Sequence, residues 1–418
     1  MTGIKQTKFI TNRRANMAII MALAAPALVG VCGLSAETGY WFYLTKSAQK
    51  AADVSAYAGA VALRNGDSKD AAIAVAFAEA GLLGFDDPKS IVAAVTPPTT
   101  GPNQHARAME VTIDFEVPRF FSGIFNNEEE RGDVRAVAAY DTPSNACLLA
   151  LDIDEPAALT ITGSADVTLL SCEVMSNSIA ADAVLLSGSG DLLTDCVNAV
   201  GGVVVKVGGT DLTLTDCPAP RQNMARAPDP YASVPEPNLD GVPCSNVGKG
   251  TGTINVTAGA GGVKRFCGGL SLSGDYHFEP GVYVIDDGDF RINSGTMVTG
   301  DDVTFFFTNG AEERFNGTAT IDIAAPTTGT YQGIAMMGDR SDTSAEHRFN
   351  GTANSKITGA IYTPASRLVF NGDFSGDDGC MQLVGSTIEL VGNMHISTDC
   401  EDYGLKWAQV PGSVRMSE

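Results

Sequence analysis

The sequence predicts an α+β N-terminal region anchored in a membrane, followed by an all-β domain built of repeats. The repeat domain reads as a parallel β-helix, with a β-sandwich as the alternative. Three observations carry this expectation. Residues 15–36 form an apolar run without a charged side chain. From Cys147 onward, short apolar stretches broken by Gly, Asp and Ser recur every ~20–25 residues. Cys147, Cys172, Cys196, Cys217, Cys244 and Cys267 recur with the same spacing.

Composition limits the function classes. The chain has 418 residues, 44% hydrophobic and 18% charged, which excludes bulk disorder. Its 46 glycines and 7% aromatics suit short strands joined by many turns. A net charge of −22 argues against a nucleic-acid binder, because phosphate contacts need Lys and Arg.

Residues 1–14 read as a basic cytoplasmic tail carrying Lys5, Lys8, Arg13 and Arg14. Residues 15–36 read as a transmembrane helix, since about 20 helical residues cross a hydrocarbon core. The basic flank keeps the N-terminus inside, and the chain beyond Glu37, the first acid, lies outside. Tyr40, Trp41, Phe42 and Tyr43 follow like an interfacial aromatic belt. A cleaved signal peptide fits less well. The run exceeds a usual apolar signal region, and Leu34 stands where a small residue is wanted before a cut after Ala36.

Residues 37–142 read as one α+β segment. Ala48, Ala52, Ser55, Gly59 and Ala62 recur at helical spacing and form a narrow stripe of small residues. Such a stripe suits close packing, either on this chain's own strands or on a partner helix, and so allows a homo-oligomer through the N-terminal helix. A second Ala-rich helix is expected over 68–84. Strands are expected at 91–96, 108–117 and 134–140, and the alternation over 110–117 leaves one face solvated.

Part of this region resembles a known family. Arg13-Arg14-Ala15-Asn16-Met17-Ala18-Ile19-Ile20-Met21-Ala22-Leu23 opens the match, followed by Pro26, Gly30, Glu37, Gly39 and Tyr40. Gln49-Lys50-Ala51-Ala52-Asp53-Val54-Ser55-Ala56-Tyr57-Ala58-Gly59-Ala60 completes it. The stretch resembles the N-terminal region of TadE/TadG-like proteins of the Flp (tight adherence) pilus-assembly system. Ala15 departs from the family, which usually has Gly before the Asn. The resemblance implies a single-span inner-membrane protein facing the periplasm, acting in pilus biogenesis or secretion without catalysis. Larger members often carry a von Willebrand A-type domain marked by Asp-x-Ser-x-Ser. The nearest stretch here, Asp152–Pro156, lacks both serines, so the distal part is something else.

That distal domain is expected over 147–404, with a Pro-rich loop at 218–243. The units at 159–169, 184–193 and 204–214 resemble one another. Arg314-Phe315-Asn316-Gly317-Thr318-Ala319 recurs as Arg348-Phe349-Asn350-Gly351-Thr352-Ala353. Stacked coils put neighbouring strands about 4.8 Å apart, within the Cα separations a disulfide accepts. The favoured pairing joins sequence neighbours: Cys147–Cys172, Cys196–Cys217, Cys244–Cys267 and Cys380–Cys400. The alternative is a ladder of unpaired buried thiols. Pro-rich 218–243 reads as a loop that leaves the solenoid and returns, with an interdomain linker as the other reading.

Chemistry is sparsely signalled. No catalytic or cofactor-binding set and no cofactor is expected. Asp286, Asp287 and Asp289, then Asp301 and Asp302, are candidate acids, whereas His277, His347 and His395 are scattered with no nucleophile motif beside them. Asp373, Asp377 and Asp378, in the Asn371–Gly379 turn, are the weak calcium candidates, though a solvated turn has the same composition. The expectation is a non-enzymatic, bitopic inner-membrane pilus-assembly component whose periplasmic solenoid is a spacer or docking surface. Its partners would be other assembly or secretion proteins and the inner membrane. The alternatives are an anchored carbohydrate-binding or carbohydrate-active β-helix, marked by an aromatic-lined groove, and a surface adhesin.

Overall fold

A computed structural model describes residues 13–417, except 127, 207–210, 249, 316–317, 352–354, 373, 399 and 401–402. The chain forms two units. One comprises residues 1–142 and 412–418, the other Pro143–Pro411.

In the first unit, α1 (Arg13–Arg64) is one continuous helix of 52 residues that runs through Pro26. Its segment Met17–Arg64 includes an 18-residue window of mean hydropathy 2.3 that is only 6% buried. That length and composition suffice for a single-pass membrane anchor. Further along the same helix, Ala48, Ala52 and Ser55 are wholly buried, and Ala62 is 7% exposed. They pack, with Gly59, into a core shared with Met109, Val111, Ile113 and Ala136.

The rest of this unit follows from local chemistry. α2 (Lys69–Leu82) starts where the Ser68 hydroxyl accepts from the Ala71 N–H, and it buries Ala72, Ala76 and Ala80. The strands β1 (Ser90–Val95), β2 (Ala108–Val117) and β3 (Glu130–Tyr140) form an antiparallel sheet. Alternation in β2 turns Val111, Ile113 and Phe115 onto the helices. The C-terminal strand Val414–Met416 joins the far edge of this sheet, beside β3. The α+β segment expected over 37–142 does not include that strand.

The second unit is a parallel β-solenoid of about ten turns, with three strands to a complete coil. Coil order along its axis differs from chain order. The first coil uses strands 144–150, 159–161 and 167–170. It pairs on one side with 173–176, 184–186 and 191–194. On its other side it pairs with 383–385, 388–390 and 394–397, the end of the repeat array. The opening coil therefore lies inside the stack. The chain builds outward to strand 211–214, leaves through the Pro-rich segment, and re-enters at the opposite end, where the backbone at Cys244 pairs in parallel with Arg265.

Inward side chains make the core: strands open to solvent on one face, such as 289–292, bury alternate residues, whereas 303–308 and 334–338 are buried on both faces. Phe315 meets Phe349 edge to face and Phe349 stacks on Phe370, with ring centroids 5.5 and 4.7 Å apart. Phe278 meets Phe305 edge to face and Phe305 stacks on Phe290, at 5.0 and 4.9 Å. Close approach of coils dictates Gly190: a Cβ there would lie 2.0 Å from the Ala165 carbonyl oxygen.

Candidate functional site

The Pro-rich segment lies against one outer face of the solenoid as a strap. With few backbone partners of its own, it is held by apolar side chains and a short series of hydrogen bonds. Met224, Ala227, Tyr231 and Val234 are buried with Val284, Phe306, Met337 and Val384. Asn177 bonds Ala227 twice, its Nδ2 donating at 2.9 Å and its Oδ1 accepting at 2.8 Å. The Tyr231 hydroxyl donates to Gln382 Oε1 at 3.2 Å, and Tyr362 donates to Asp229 Oδ2 at 2.7 Å. Arg340 donates to the Tyr231 carbonyl and, through its backbone, to Glu236, both at 2.9 Å. Burial pushes both phenols well above their ordinary pKa, and the Asp229 carboxylate adds to this at Tyr362. The strap is thus part of the domain rather than a linker to another.

Two disulfides bracket it. Cys196–Cys217 closes the coil it leaves, and Cys244–Cys267 the coil it joins, with Cα separations of 5.6 and 5.4 Å. Cys147–Cys172 and Cys380–Cys400 lie elsewhere in the stack at 5.6 and 5.1 Å. Each bridge joins sequence neighbours on adjacent turns. Cys32 is a free, exposed thiol.

A second face carries a charge ladder. Arg291, Arg314 and Arg348 sit in register on successive strands. They line a groove of about 490 Å³ with Asn293 and Asn350. Each arginine is matched by an acid. Arg314 Nε lies 3.1 Å from Asp289 and its Nη2 3.0 Å from Glu312, and Arg348 Nε is 3.0 Å from Glu346. Arg291 pairs with Asp289, and Arg367 with Glu389. Partial burial would raise the Asp289 carboxyl, but the Arg291 and Arg314 guanidinium groups outweigh it and hold the pKa low. The ladder's charges cancel, so it ties coil to coil. The groove's one aromatic lining residue, Phe315, is buried.

Beneath the ladder lies an ionisable pair within the apolar core. Glu313 and His347 are each 1% exposed, and His347 Nδ1 is 2.6 Å from Glu313 Oε2. Among the described residues, Glu313 Oε1 has no hydrogen-bond partner. Burial alone would lower the imidazole pKa. The Glu313 charge and hydrogen bond, with Asp342 and Glu312 nearby, reverse this and raise it. The sequence sets no nucleophile motif beside His347. The signal was present in the repeat: aligning Arg314-Phe315 on Arg348-Phe349 sets Glu313 opposite His347.

The remaining sequence candidates do not converge. Asp286 bonds Asn309 at 2.6 Å and pairs with Arg265, whereas Asp302 accepts from the Thr327 N–H at 3.0 Å. His277 Nδ1 lies 2.9 Å from the Thr299 hydroxyl. Among the described residues, no three His, Cys, Asp or Glu side chains gather as for a metal. Asp373 lies outside the described residues, as do the side chains of Asp377 and Asp378. The stripe Ala48, Ala52, Ser55, Gly59 and Ala62 is taken up inside the first unit. Comparison with protein-family models, curated proteins and solved structures finds no match.

Proposed function

We propose that this chain is a non-enzymatic, bitopic inner-membrane component of Flp/Tad-type pilus assembly. Its N-terminus would face the cytoplasm, and its solenoid would be a periplasmic spacer or docking surface for other assembly proteins. The observation that supports this best is the continuity of α1. An exposed apolar span with a basic flank runs unbroken into a helix that closes an α+β core, and a disulfide-stapled solenoid follows. The bridges fit an oxidising compartment. The ladder and groove offer paired charges without a nucleophile, which suits a rigid binding surface better than catalysis. Because the small-residue stripe is buried, association between copies would use the apolar span over residues 17–32.

Topology and role are separately testable. Alkaline phosphatase fused after Tyr140 should be active, and an inactive fusion would reverse the orientation. Photo-crosslinkers on the exposed solenoid ladder in native membranes should capture pilus-secretion or pilin components. Capture of glycan instead, or an unchanged fibre after gene deletion, would refute the assembly role.

A further inference from the structure

The end of the apolar span carries a feature that anchoring alone does not require. The loop 118–125 between β2 and β3 lies against residues 33–41 of α1. Trp41 Nε1 donates to the Pro118 carbonyl at 2.8 Å, and the Tyr40 and Phe120 rings are 5.8 Å apart. Gly33 admits the Phe121 ring: a Cβ there would lie 2.4 Å from Phe121 Cδ1. Glu37, the first acid after the apolar run, is 2% exposed. Its carboxylate accepts from the backbone N–H groups of Phe120, Phe121 and Ser122 at 2.8, 3.3 and 2.8 Å. It also accepts from the Ser122 hydroxyl at 2.8 Å. A carboxylate at the edge of a membrane span normally needs water, and here the loop supplies its solvation.

With its polar groups so committed, the loop turns its apolar side chains outward. Phe120, Phe121, Ile124 and Phe125 are 61%, 38%, 78% and 84% exposed. Tyr40, Phe42 and Tyr43 are exposed on the adjoining helix. Single exposed apolar residues are ordinary, but four from one short loop, level with the end of an apolar span, are not. Aromatic and aliphatic side chains at that level partition into the boundary between headgroups and acyl chains. Glu128, Glu129 and Glu130, just after the loop, would stay in water and limit its depth.

We infer that residues 120–125 form a second, interfacial membrane contact, which dips into the leaflet from which α1 emerges and is held in place by Glu37. The partner is the lipid bilayer itself. This rests on α1 being a membrane anchor. It gives the first unit two points of attachment, which would restrain its rotation and tilt about the span.

The test uses the full chain in lipid nanodiscs, with Cys32→Ser and a single bimane-labelled cysteine at position 28, 125 or 67. Lipids brominated near the headgroup or near the acyl terminus serve as quenchers. The expected result is loss of emission at 28 with deep bromines, loss at 125 with shallow bromines, and no loss at 67, exposed just beyond the far end of α1. Quenching at 28 without quenching at 125 overturns this inference and leaves the loop as a protein-docking surface. No quenching at 28 overturns the anchor and the inference together. Glu37→Ala should abolish the shallow quenching at 125 while preserving that at 28. Unchanged quenching would remove Glu37 from the positioning role.

Discussion

The Glu313–His347 pair gives the sharpest test of the solenoid's energetics. Both side chains lie in an inward column whose neighbours are Phe290 and Leu368, so neither can reach water. His347→Leu leaves a buried carboxylate with no partner for either oxygen, because Oε1 already lacks one. Breaking a buried pair in this way costs about 3–5 kcal/mol. Replacing both partners, as Glu313→Leu with His347→Leu, should recover most of that loss, since apolar substitutes for buried ion pairs are often neutral or stabilising. The pH dependence has a definite sign. The folded imidazole pKa is raised above its unfolded value of about 6.5. The pair's contribution is therefore complete below about pH 6.5 and is lost as pH rises through the folded value. Denaturant unfolding followed at Trp407, which packs against the solenoid core, measures both effects. Single variants that each cost under about 1 kcal/mol would refute the reasoning. So would an unchanged pH slope in His347→Leu.

Two further perturbations address how coils are held. Gly190→Ala drives a methyl into the Ala165 carbonyl on the adjacent coil, so the stack must open there; a loss of about 3 kcal/mol or more is expected in the same unfolding assay. Replacing Cys196 and Cys217 together with alanine frees a 21-residue loop in the unfolded chain and should cost about 3 kcal/mol, checked by comparing midpoints under oxidising conditions.

Much of this architecture is legible in sequence because periodicity is written locally. The small-residue stripe on α1, the alternation of β2 and the coil-spaced cysteines each reflect contacts between elements a fixed distance apart along the chain. What stayed hidden depends on partners that no local pattern specifies. The strand Val414–Met416 completes a sheet begun more than 270 residues earlier, since Arg415 pairs with Ala139. The strap's prolines signalled an extended path, but not which face it would cover. Nothing in residues 144–170 announces that their coil stacks on 383–397. The Glu313–His347 pair was legible in principle, once the two Arg-Phe-Asn-Gly repeats are aligned residue by residue.

Coil order makes the strap more than a connector. Every disulfide lies within one half of the solenoid: two bridges precede Asp240, and two follow it. The halves meet by parallel strand pairing, Leu148 with Leu383, Leu159 with Ile388 and Val167 with Met394, by the antiparallel strand Ala408–Val410 beside Ser144–Ala146, and by the strap crossing their outer face. A protease site placed at the exposed turn Asp240–Gly241 should therefore cut the chain into two pieces on a non-reducing denaturing gel. The same pieces should co-elute in native chromatography, because the paired strands and the Tyr231–Gln382 and Asn177–Ala227 contacts survive the cut. A single uncut-sized band on the non-reducing gel would require a disulfide across the halves. Separation without denaturant would mean that the covalent tie, and not the stacking, holds the central coil in place.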